Sequence, residues 1–276
     1  QTTRGHAMTL NIAWYTTRGA SSRAMFETVL GAIRDGSLDA RIACVFSNRE
    51  RGEEDVTDAF FDLVETEGLP LLSLSSVRFR RERGGARSRS GEALPAWRHE
   101  YDAEVARLVD AQPADLGVLA GYLLIFTPGF VEGHPLLNLH PALPDGPAGT
   151  WREVIRHLIR TRAPESGVMV HLAIPAVDAG PVAAFCRYPL RGPAFDPLWD
   201  ALPTDLGADE VVEATPLFAR IREAMLVHEA PFLVSALQAF ADGRLRLDTG
   251  RVAAASGGAA SPLDLTEDVR TRLGVA

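Results

Sequence analysis

Residues 10–46 have the sequence LNIAWYTTRGASSRAMFETVLGAIRDGSLDARIACVF. Its two ends are short apolar runs bounded by polar residues, which is typical of buried strands, and apolar side chains recur between them at helical spacing. The same alternation continues to residue 74. Strands are predicted at 10–15, 41–46 and 70–74, and helices at 23–34 and 56–67. This order of strand, helix, strand, helix and strand predicts an α/β fold with a parallel sheet and right-handed crossovers.

The alternation extends through most of the chain beyond residue 96. Further strands are predicted at 116–120, 136–140, 167–172 and 181–185, and helices at 97–111, 151–160, 215–242 and 265–273. Pro231 is expected to kink or break the long helix, because proline lacks the amide that continues the hydrogen-bond ladder.

Three stretches do not follow the pattern. Residues 77–91 hold six arginines among Gly and Ser, which favours a solvated, mobile loop, with a basic flap over an anionic ligand as the alternative. Residues 191–214 are rich in Pro, Asp and Gly and indicate a loop excursion. Residues 251–261 are typical of a linker.

Composition excludes several classes of function. The net charge of -8 argues against bulk binding to nucleic acid. All 28 basic residues are arginine, so a Schiff-base lysine is excluded. No apolar run reaches the roughly 18 residues of a membrane span, so we expect no membrane association. Cys44 and Cys186 lie far apart in strand-like segments, which favours buried thiols and a cytoplasmic protein.

The loop after the first strand lacks the glycine pattern of dinucleotide-binding folds. A strand-to-helix loop still offers free backbone amides to a phosphate, and Ser21 and Ser22 would add hydroxyls. Their alternative role is to cap the following helix, and the residues alone leave both open. The seven histidines lack metal-ligand spacing, so no metal site is expected. His171 is expected to be a core residue.

Residues 136–141, LLNLHP, form an apolar strand that ends in two polar side chains. Asn138 and His140 are two residues apart and therefore point to the same face. Asp178 lies in a later turn. An amide, an imidazole and a carboxylate together can donate to a carbonyl oxygen, move its protons and orient the group that moves them. For Asn138 and His140 alone, a merely structural role stays open.

Three segments in order resemble the folate-dependent formyltransferases, most closely the glycinamide ribonucleotide formyltransferases. Residues 115–131, DLGVLAGYLLIFTPGFV, are similar to the family's strand and pterin-lining loop. Residues 137–144, LNLHPALP, resemble its N-x-H-P-S-L-L-P signature. Residues 166–171, SGVMVH, and 177–182, VDAGPV, resemble its G-x-x-V-H and D-x-G-P-V segments. The resemblance covers roughly residues 10–247.

The resemblance implies a fold and a set of site residues. The fold would be a three-layer, mostly parallel twisted sheet, the Rossmann-like formyltransferase fold, with an antiparallel edge. The catalytic residues would be Asn138, His140 and Asp178. Binding residues for the cosubstrate 10-formyltetrahydrofolate would be Leu123, Leu124, Ile125, Phe126, Ala176 and Val177. The acceptor would contact Ala20, Ser21, Ser22 and Glu229, although Glu229 has the alternative of an exposed helix carboxylate.

The implied enzyme transfers a formyl group to a small-molecule amine, expected to be phosphorylated, without a metal and without a covalent intermediate. Glycinamide ribonucleotide is the expected acceptor, which places the enzyme in purine biosynthesis. The alternatives are an amino sugar or secondary-metabolite amine, hydrolysis of formyltetrahydrofolate, or a non-catalytic folate- or nucleotide-binding protein. We expect a monomer or a homodimer.

The chain departs from the family pattern at four places. Ala142 replaces the signature serine, one leucine of the signature is missing, the phosphate loop has a different composition, and Leu124 stands where a basic or polar residue is common. The expected domains are a tag remnant or disordered start at 1–9, a formyltransferase domain at 10–247 with insertions near 76–96 and 191–214, and a C-terminal extension at 248–276.

Overall fold

An eight-stranded sheet forms the centre of the protein in the computed structural model, which describes residues 9–19, 22–87, 92–176, 178–248, 251–254 and 261–275. The strands in chain order are β1 (Leu10–Thr16), β2 (Ala40–Ser47), β3 (Leu71–Ser73), β4 (Leu116–Leu119), β5 (Leu136–His140), β6 (Glu165–Leu172), β7 (Val182–Pro189), β8 (Leu245–Asp248), β9 (Arg251–Ala254) and β10 (Leu263–Asp264). The order across the sheet is β10-β7-β6-β5-β4-β1-β2-β3, and β8 and β9 form a separate hairpin.

The predicted mostly parallel sheet with an antiparallel edge is confirmed. β1 pairs in parallel with β2 and β4, and the parallel arrangement continues to β3 on one side and β5 on the other. β6 runs antiparallel to both β5 and β7. The antiparallel β6 sets Asn138 of β5 directly opposite His171.

Helices cover both faces of the sheet and complete the three layers. They are α1 (Arg23–Arg34), α2 (Asp55–Thr66), α3 (Ser76–Glu82), α4 (Trp97–Val109), α5 (Pro128–Gly133), α6 (Trp151–Arg160), α7 (Asp196–Asp200), α8 (Asp209–Glu213), α9 (Pro216–Ala241) and α10 (Thr266–Leu273). β1 sends Ile12 and Trp14 to the core under α1, α2, α6 and α9, while Tyr15 enters the core under α3, α4 and α5. Alternation along a strand produces these two separate cores.

The prediction of a mobile loop at 77–91 is wrong for its first part, which forms α3. Ser75 caps this helix, because its Oγ accepts a hydrogen bond from the amide of Arg78 at 3.1 Å. Phe79 is buried against Trp97 and Tyr101. A single buried aromatic side chain therefore anchors a segment whose arginine content favours solvent. Residues 88–91 lie outside the described residues.

The predicted loop excursion at 191–214 also contains two short helices, α7 and α8. Trp199 of α7 is buried and donates its indole N–H to the carbonyl of Leu190 at 2.6 Å. The predicted linker likewise begins as the strand β9, which pairs with β8. These elements depend on partners elsewhere in the fold, which local composition does not reveal.

The helix α9 continues through Pro231 as one 26-residue helix. Its length and mean hydropathy of 1.3 would suffice for a membrane span, but half of that apolar window is buried inside the protein, as in a core helix. The two cysteines are free and buried, as predicted. Burial raises the pKa of Cys44 to about 11 and that of Cys186 to about 12.

Candidate active site

Three polar side chains meet where β5, β6 and the following turn come together. Asn138 Nδ2 lies 3.1 Å from His171 Nε2 and donates to Asp178 Oδ1 at 3.3 Å. Asp178 Oδ1 also lies 3.7 Å from His171 Nε2. Asn138 therefore bridges an imidazole and a carboxylate, and its amide group is held in one orientation.

His171 is a neutral member of this cluster. Its pKa lies below the ordinary value because burial disfavours the charged imidazolium, a shift that the Leu172 carbonyl and Asp178 oppose only in part. Its Nδ1 lies 3.3 Å from the carbonyl of Leu172, an acceptor, so Nδ1 carries the proton. Nε2 is then free to accept the N–H of Asn138.

The turn that carries Asp178 has a backbone that few residues can adopt. Asp178 has a φ of 53°, in the left-handed region that Asp tolerates better than most non-glycine residues. At Gly180, a Cβ atom would stand 1.7 Å from the carbonyl oxygen of Leu172. Only glycine permits this close approach, which folds the turn back onto β6 and brings the Asp178 carboxylate to Asn138.

His140 lies at the end of β5 and is buried. Its Nε2 is 2.9 Å from the carbonyl oxygen of Pro147, so this nitrogen is the protonated one. Its ring centroid is 6.3 Å from that of His171. Among the described contacts of His140 there is none with Asp178, so the Pro147 carbonyl and not this carboxylate orients the imidazole.

An apolar cleft of about 150 Å³ opens beside the polar cluster. Leu123, Leu124, Ile125 and Phe126 line it, together with Asn138, His171 and Asp178. A second cavity of about 550 Å³ adjoins it and shares Val131, Ala173 and Ile174. Of the other two residues expected at the donor site, Ala176 is exposed in the turn and is not among the lining residues, and Val177 lies outside the described residues.

The loop between β1 and α1 is tightly packed where the structure describes it. Ser22 is buried, its Oγ donates to the carbonyl of Gly19 at 3.2 Å, and Thr16 Oγ1 lies 3.0 Å away. Ser22 precedes α1 but makes no side-chain capping bond. Gly19 has a φ of 74°, and a Cβ there would meet the ring of Phe60 at 2.2 Å. Ala20 and Ser21 lie outside the described residues.

Glu229 of α9 is largely buried, which excludes the alternative of an exposed helix carboxylate. Its Oε1 lies 3.4 Å from Nη1 of Arg222. Burial raises the pKa of Glu229 above its ordinary value, and the Arg222 guanidinium opposes the shift. A largely buried carboxylate that keeps one cationic partner is suited to accept hydrogen bonds from a polar ligand.

The structure thus joins Asn138 with Asp178 and the loop at 123–126, and adds one residue that the sequence interpretation assigned to the core. In the sequence, His171 is a single polar residue within an apolar strand, and this pattern predicts a buried structural role. Its pairing opposite Asn138 needs the antiparallel register of β6. Within the described residues, no group of three or more His, Cys, Asp or Glu side chains is arranged to hold a metal ion.

A family model described as formyl transferase matches residues 18–189. The phosphoribosylglycinamide formyltransferase of Escherichia coli (strain K12) is 33% identical over 167 residues, covering 59% of this chain and 67% of that relative. Glycinamide ribonucleotide transformylase 1 from Symbiobacterium toebii superposes with a TM-score of 0.61 at 22% identity, covering 91% of this chain and 95% of the other.

A formyltetrahydrofolate deformylase from Pseudomonas syringae pv. tomato shares the fold as well. Its TM-score is 0.59 at 18% identity, over 89% of this chain and 65% of the deformylase. These two structural likenesses establish the fold, and the sequence match over 172 residues, 18 to 189, establishes the family. The chain belongs to the formyl transferase family, as its three motif segments predicted.

Proposed function

We propose that the protein transfers the formyl group of 10-formyltetrahydrofolate to the primary amine of glycinamide ribonucleotide, as a step of purine biosynthesis in the cytoplasm. The observation that carries the proposal is the Asn138, His171 and Asp178 cluster at the edge of an apolar cleft. Family membership supports formyl transfer as the reaction class. The names of curated relatives from bacteria and yeast support the acceptor.

The cleft suits the flat heterocycle of the donor. Its apolar walls at 123–126 can cover the faces of a pterin, while Asn138 and Asp178 supply polar groups at one end. About 150 Å³ is less than the roughly 300 Å³ or more that a whole drug-sized ligand occupies, so only the head of the donor enters. The adjoining 550 Å³ cavity offers room for the remainder.

The reaction needs no covalent enzyme intermediate. The lone pair of the amine attacks the formyl carbon, and the carbonyl π electrons move to oxygen to form a tetrahedral oxyanion. The bond from that carbon to N10 of the folate then breaks as the oxyanion re-forms the carbonyl. The amine loses one proton and N10 gains one, so charge and atoms balance.

We assign to Asn138 the role of donating a hydrogen bond to the oxyanion. One of its amide hydrogens is held by His171, and the other makes the longer 3.3 Å bond to Asp178. The second hydrogen can turn to the substrate oxygen, because a developing oxyanion is the better acceptor at that moment. Asp178 then becomes free to accept a proton from the attacking amine, directly or through a water molecule.

His140 is assigned to the leaving group. It ends the strand two residues beyond Asn138 and carries a proton on Nε2, which it now donates to Pro147. Rotation of the side chain away from that carbonyl would direct the Nε2 proton to N10, and with Nδ1 also protonated in the reacting complex the transfer leaves a neutral imidazole. On the acceptor side, Glu229 would accept hydrogen bonds from the sugar and the β1–α1 loop, with Ala20, Ser21 and Ser22, would hold the phosphate.

The test is to incubate the protein with 10-formyltetrahydrofolate and, separately, glycinamide ribonucleotide, a phosphorylated amino sugar or buffer alone, and to follow the release of tetrahydrofolate. We expect release only with glycinamide ribonucleotide. Release in buffer alone would replace the transferase assignment by hydrolysis, and release with the amino sugar alone would overturn the acceptor.

Variants test the assigned residues. Asn138→Ala and His140→Ala are each expected to lower kcat by about a hundredfold, the usual loss for one oxyanion donor or one general acid. Glu229→Gln is expected to raise KM for the amine and leave KM for the donor unchanged. His99→Ala is the matched control, because it also removes an imidazole but from an exposed position on α4. It should leave kcat unchanged. Full turnover by His140→Ala would remove that residue from the mechanism.

A further inference from the structure

A buried ion pair lies behind the loop that lines the cleft. Arg98 and Asp102 stand one turn apart on α4, with Arg98 Nη2 3.4 Å from Asp102 Oδ1, and their side chains are 1% and 2% exposed. Removing two charges from water costs several kcal/mol per ion, which their mutual attraction repays only in part. Apolar residues would fill this position at least as stably. The pair is therefore weak evidence for stability, and its contacts with the neighbouring loop indicate another role.

Both members of the pair also form hydrogen bonds with the backbone of the same loop. Arg98 Nη2 donates to the carbonyl of Ile125 at 2.6 Å. Asp102 Oδ2 accepts from the amide of Thr127 at 2.6 Å. These two backbone groups flank Phe126, so the ion pair holds the loop on either side of a residue that lines the cleft.

The ion pair is one of two devices that hold the loop, since the Phe126 ring also stacks on Tyr122 at 4.6 Å and on Phe130 at 4.0 Å. Residues 120–127 contain no strand or helix, and the backbone hydrogen bonds to residues 15 and 17 are made only at the start of this stretch, by 120 and 121. At the start of the loop, the amide of Leu123 donates to Thr17 Oγ1 at 2.8 Å. Leu123 and Ile125 turn large apolar side chains outward, 72% and 45% exposed, which is the surface a bound donor would cover. Buried charge-assisted bonds are strong enough to impose one conformation on such a loop.

The helix that carries the pair is itself anchored. The Tyr101 hydroxyl, between Arg98 and Asp102 on α4, donates to the carbonyl of Leu74 at 2.6 Å. Phe79 packs edge-on against the ring of Tyr101 at 5.2 Å. α4 is thus fixed in place by the residue that follows β3 and by α3, and the ion pair on α4 in turn holds the loop.

We propose that Arg98 and Asp102 are positioning residues for the formyl donor: they hold residues 123–127 in the conformation that receives the pterin. This inference rests on the proposed function. Neither side chain reaches the polar cluster, so the pair acts on donor binding and not on the chemical step. Preorganised binding surfaces gain affinity because the ordering of the loop is complete before the ligand arrives.

The decisive variant is the double substitution Arg98→Met with Asp102→Leu. It removes both charges together and leaves no unpaired ion in the core, so any fall in the melting temperature should be limited to that caused by the two lost loop contacts. It also removes both contacts with the loop backbone. We expect KM for 10-formyltetrahydrofolate to rise by about tenfold or more, with kcat at saturating donor and KM for the amine within about twofold.

Two further measurements keep the test decisive. Asp102→Asn retains an oxygen that can accept from Thr127, so it should raise donor KM less than the double variant does. Amide hydrogen exchange should become faster at Thr127 in the double variant, without any ligand present. The exposed Glu104–Arg107 pair on the same helix, 3.0 Å apart, is the matched control, and Glu104→Gln with Arg107→Met should change neither quantity.

Donor KM near the wild-type value in a folded double variant would overturn the proposal, and so would an equal rise in the KM values of both substrates. If the double variant does not fold, Asp102→Ala replaces it, because this variant leaves the Thr127 amide without its acceptor; unchanged donor KM together with unchanged exchange at Thr127 would then overturn the proposal. Failure of the proposed function is distinguishable, because it appears in the wild-type protein as a lack of tetrahydrofolate release.

Discussion

His171 determines which way the Asn138 amide group is oriented. With its proton on Nδ1, bound to the Leu172 carbonyl, its Nε2 accepts one hydrogen of the Asn138 amide. This hydrogen bond determines the orientation of the Asn138 amide group, so that its nitrogen and not its oxygen faces His171 and Asp178. A protonated imidazole would have no acceptor to offer and would repel that N–H group. The role as a donor that we propose for Asn138 therefore depends on the neutrality of His171.

This dependence predicts a pH effect on stability. The pKa of folded His171 lies below the ordinary value of 6.5, so below that pH the unfolded chain binds a proton that the folded protein does not. Stability from His171 is present at higher pH and is lost as the pH falls through 6.5 towards the folded pKa. Melting temperatures of the wild type and His171→Gln should differ at pH 8, and the difference should shrink as the pH falls below 6.5.

His228 also has a pKa lowered by burial, but it is common to both proteins and cancels in the difference. A gap between the two melting curves that stays constant over the whole pH range would contradict the neutral role of His171.

A second prediction at the scale of one residue concerns the effect of a substitution at Gly180 on turnover. Gly180→Ala would place a methyl group 1.7 Å from the Leu172 carbonyl, so the turn must move and Asp178 must leave Asn138. We expect kcat to fall by about a hundredfold, since a displacement of roughly 1 Å at a catalytic group has an effect of that size. Turnover and circular dichroism measured together would separate this loss from unfolding.

The control for this substitution is Gly133→Ala in α5, where an added Cβ meets no atom within 4 Å. It should retain turnover. Unchanged activity in Gly180→Ala would show that the position of Asp178 does not limit the reaction.

At the scale of elements, α1 illustrates a helix that local sequence predicts well. Apolar Met25, Phe26, Val29 and Leu30 recur on one face, and all four are buried. The predicted bounds, 23–34, match the observed helix. α3 shows the opposite case, because its three arginines indicate solvent while its structure depends on the packing of Phe79 against aromatic residues of α4.

One glycine in α1 is available for stabilisation. An added Cβ at Gly31 meets no atom within 4 Å, and its φ is not in the left-handed region. Gly31→Ala should therefore stabilise the protein by about 0.5–1 kcal/mol, because alanine loses less backbone freedom on folding. The midpoint of urea unfolding measures this gain. A lower midpoint would mean that Gly31 has a packing role that the structure does not show.

At the scale of the whole molecule, the C-terminal segment completes the edge of the sheet. β10 pairs in parallel with β7, and the amide of Leu265 donates to the carbonyl of Phe185 at 2.8 Å. Leu265 and Val269 are buried in the main core. The predicted division into a domain at 10–247 and an extension stays a prediction, but the extension packs on the sheet.

Leu265→Ala tests how much the segment contributes. Removing a fully buried leucine side chain should cost about 2–5 kcal/mol, the usual range for a cavity left in a core. Thermal or urea unfolding would measure it, with Val275→Ala as the control because Val275 is exposed. Equal stability of both variants would show that residues 261–275 are dispensable for folding.

The sequence by itself determined the main alternation of strands and helices, the α/β class and the family, because periodicity and motif spacing are local properties of the chain. It also identified Asn138, Asp178 and the apolar loop at 123–126. Only the tertiary structure decided that His171 orients Asn138, that His140 faces Pro147, and that Arg98 and Asp102 hold the loop. Each of these contacts joins residues on different elements, and their meeting depends on strand register and helix packing rather than on spacing along the chain.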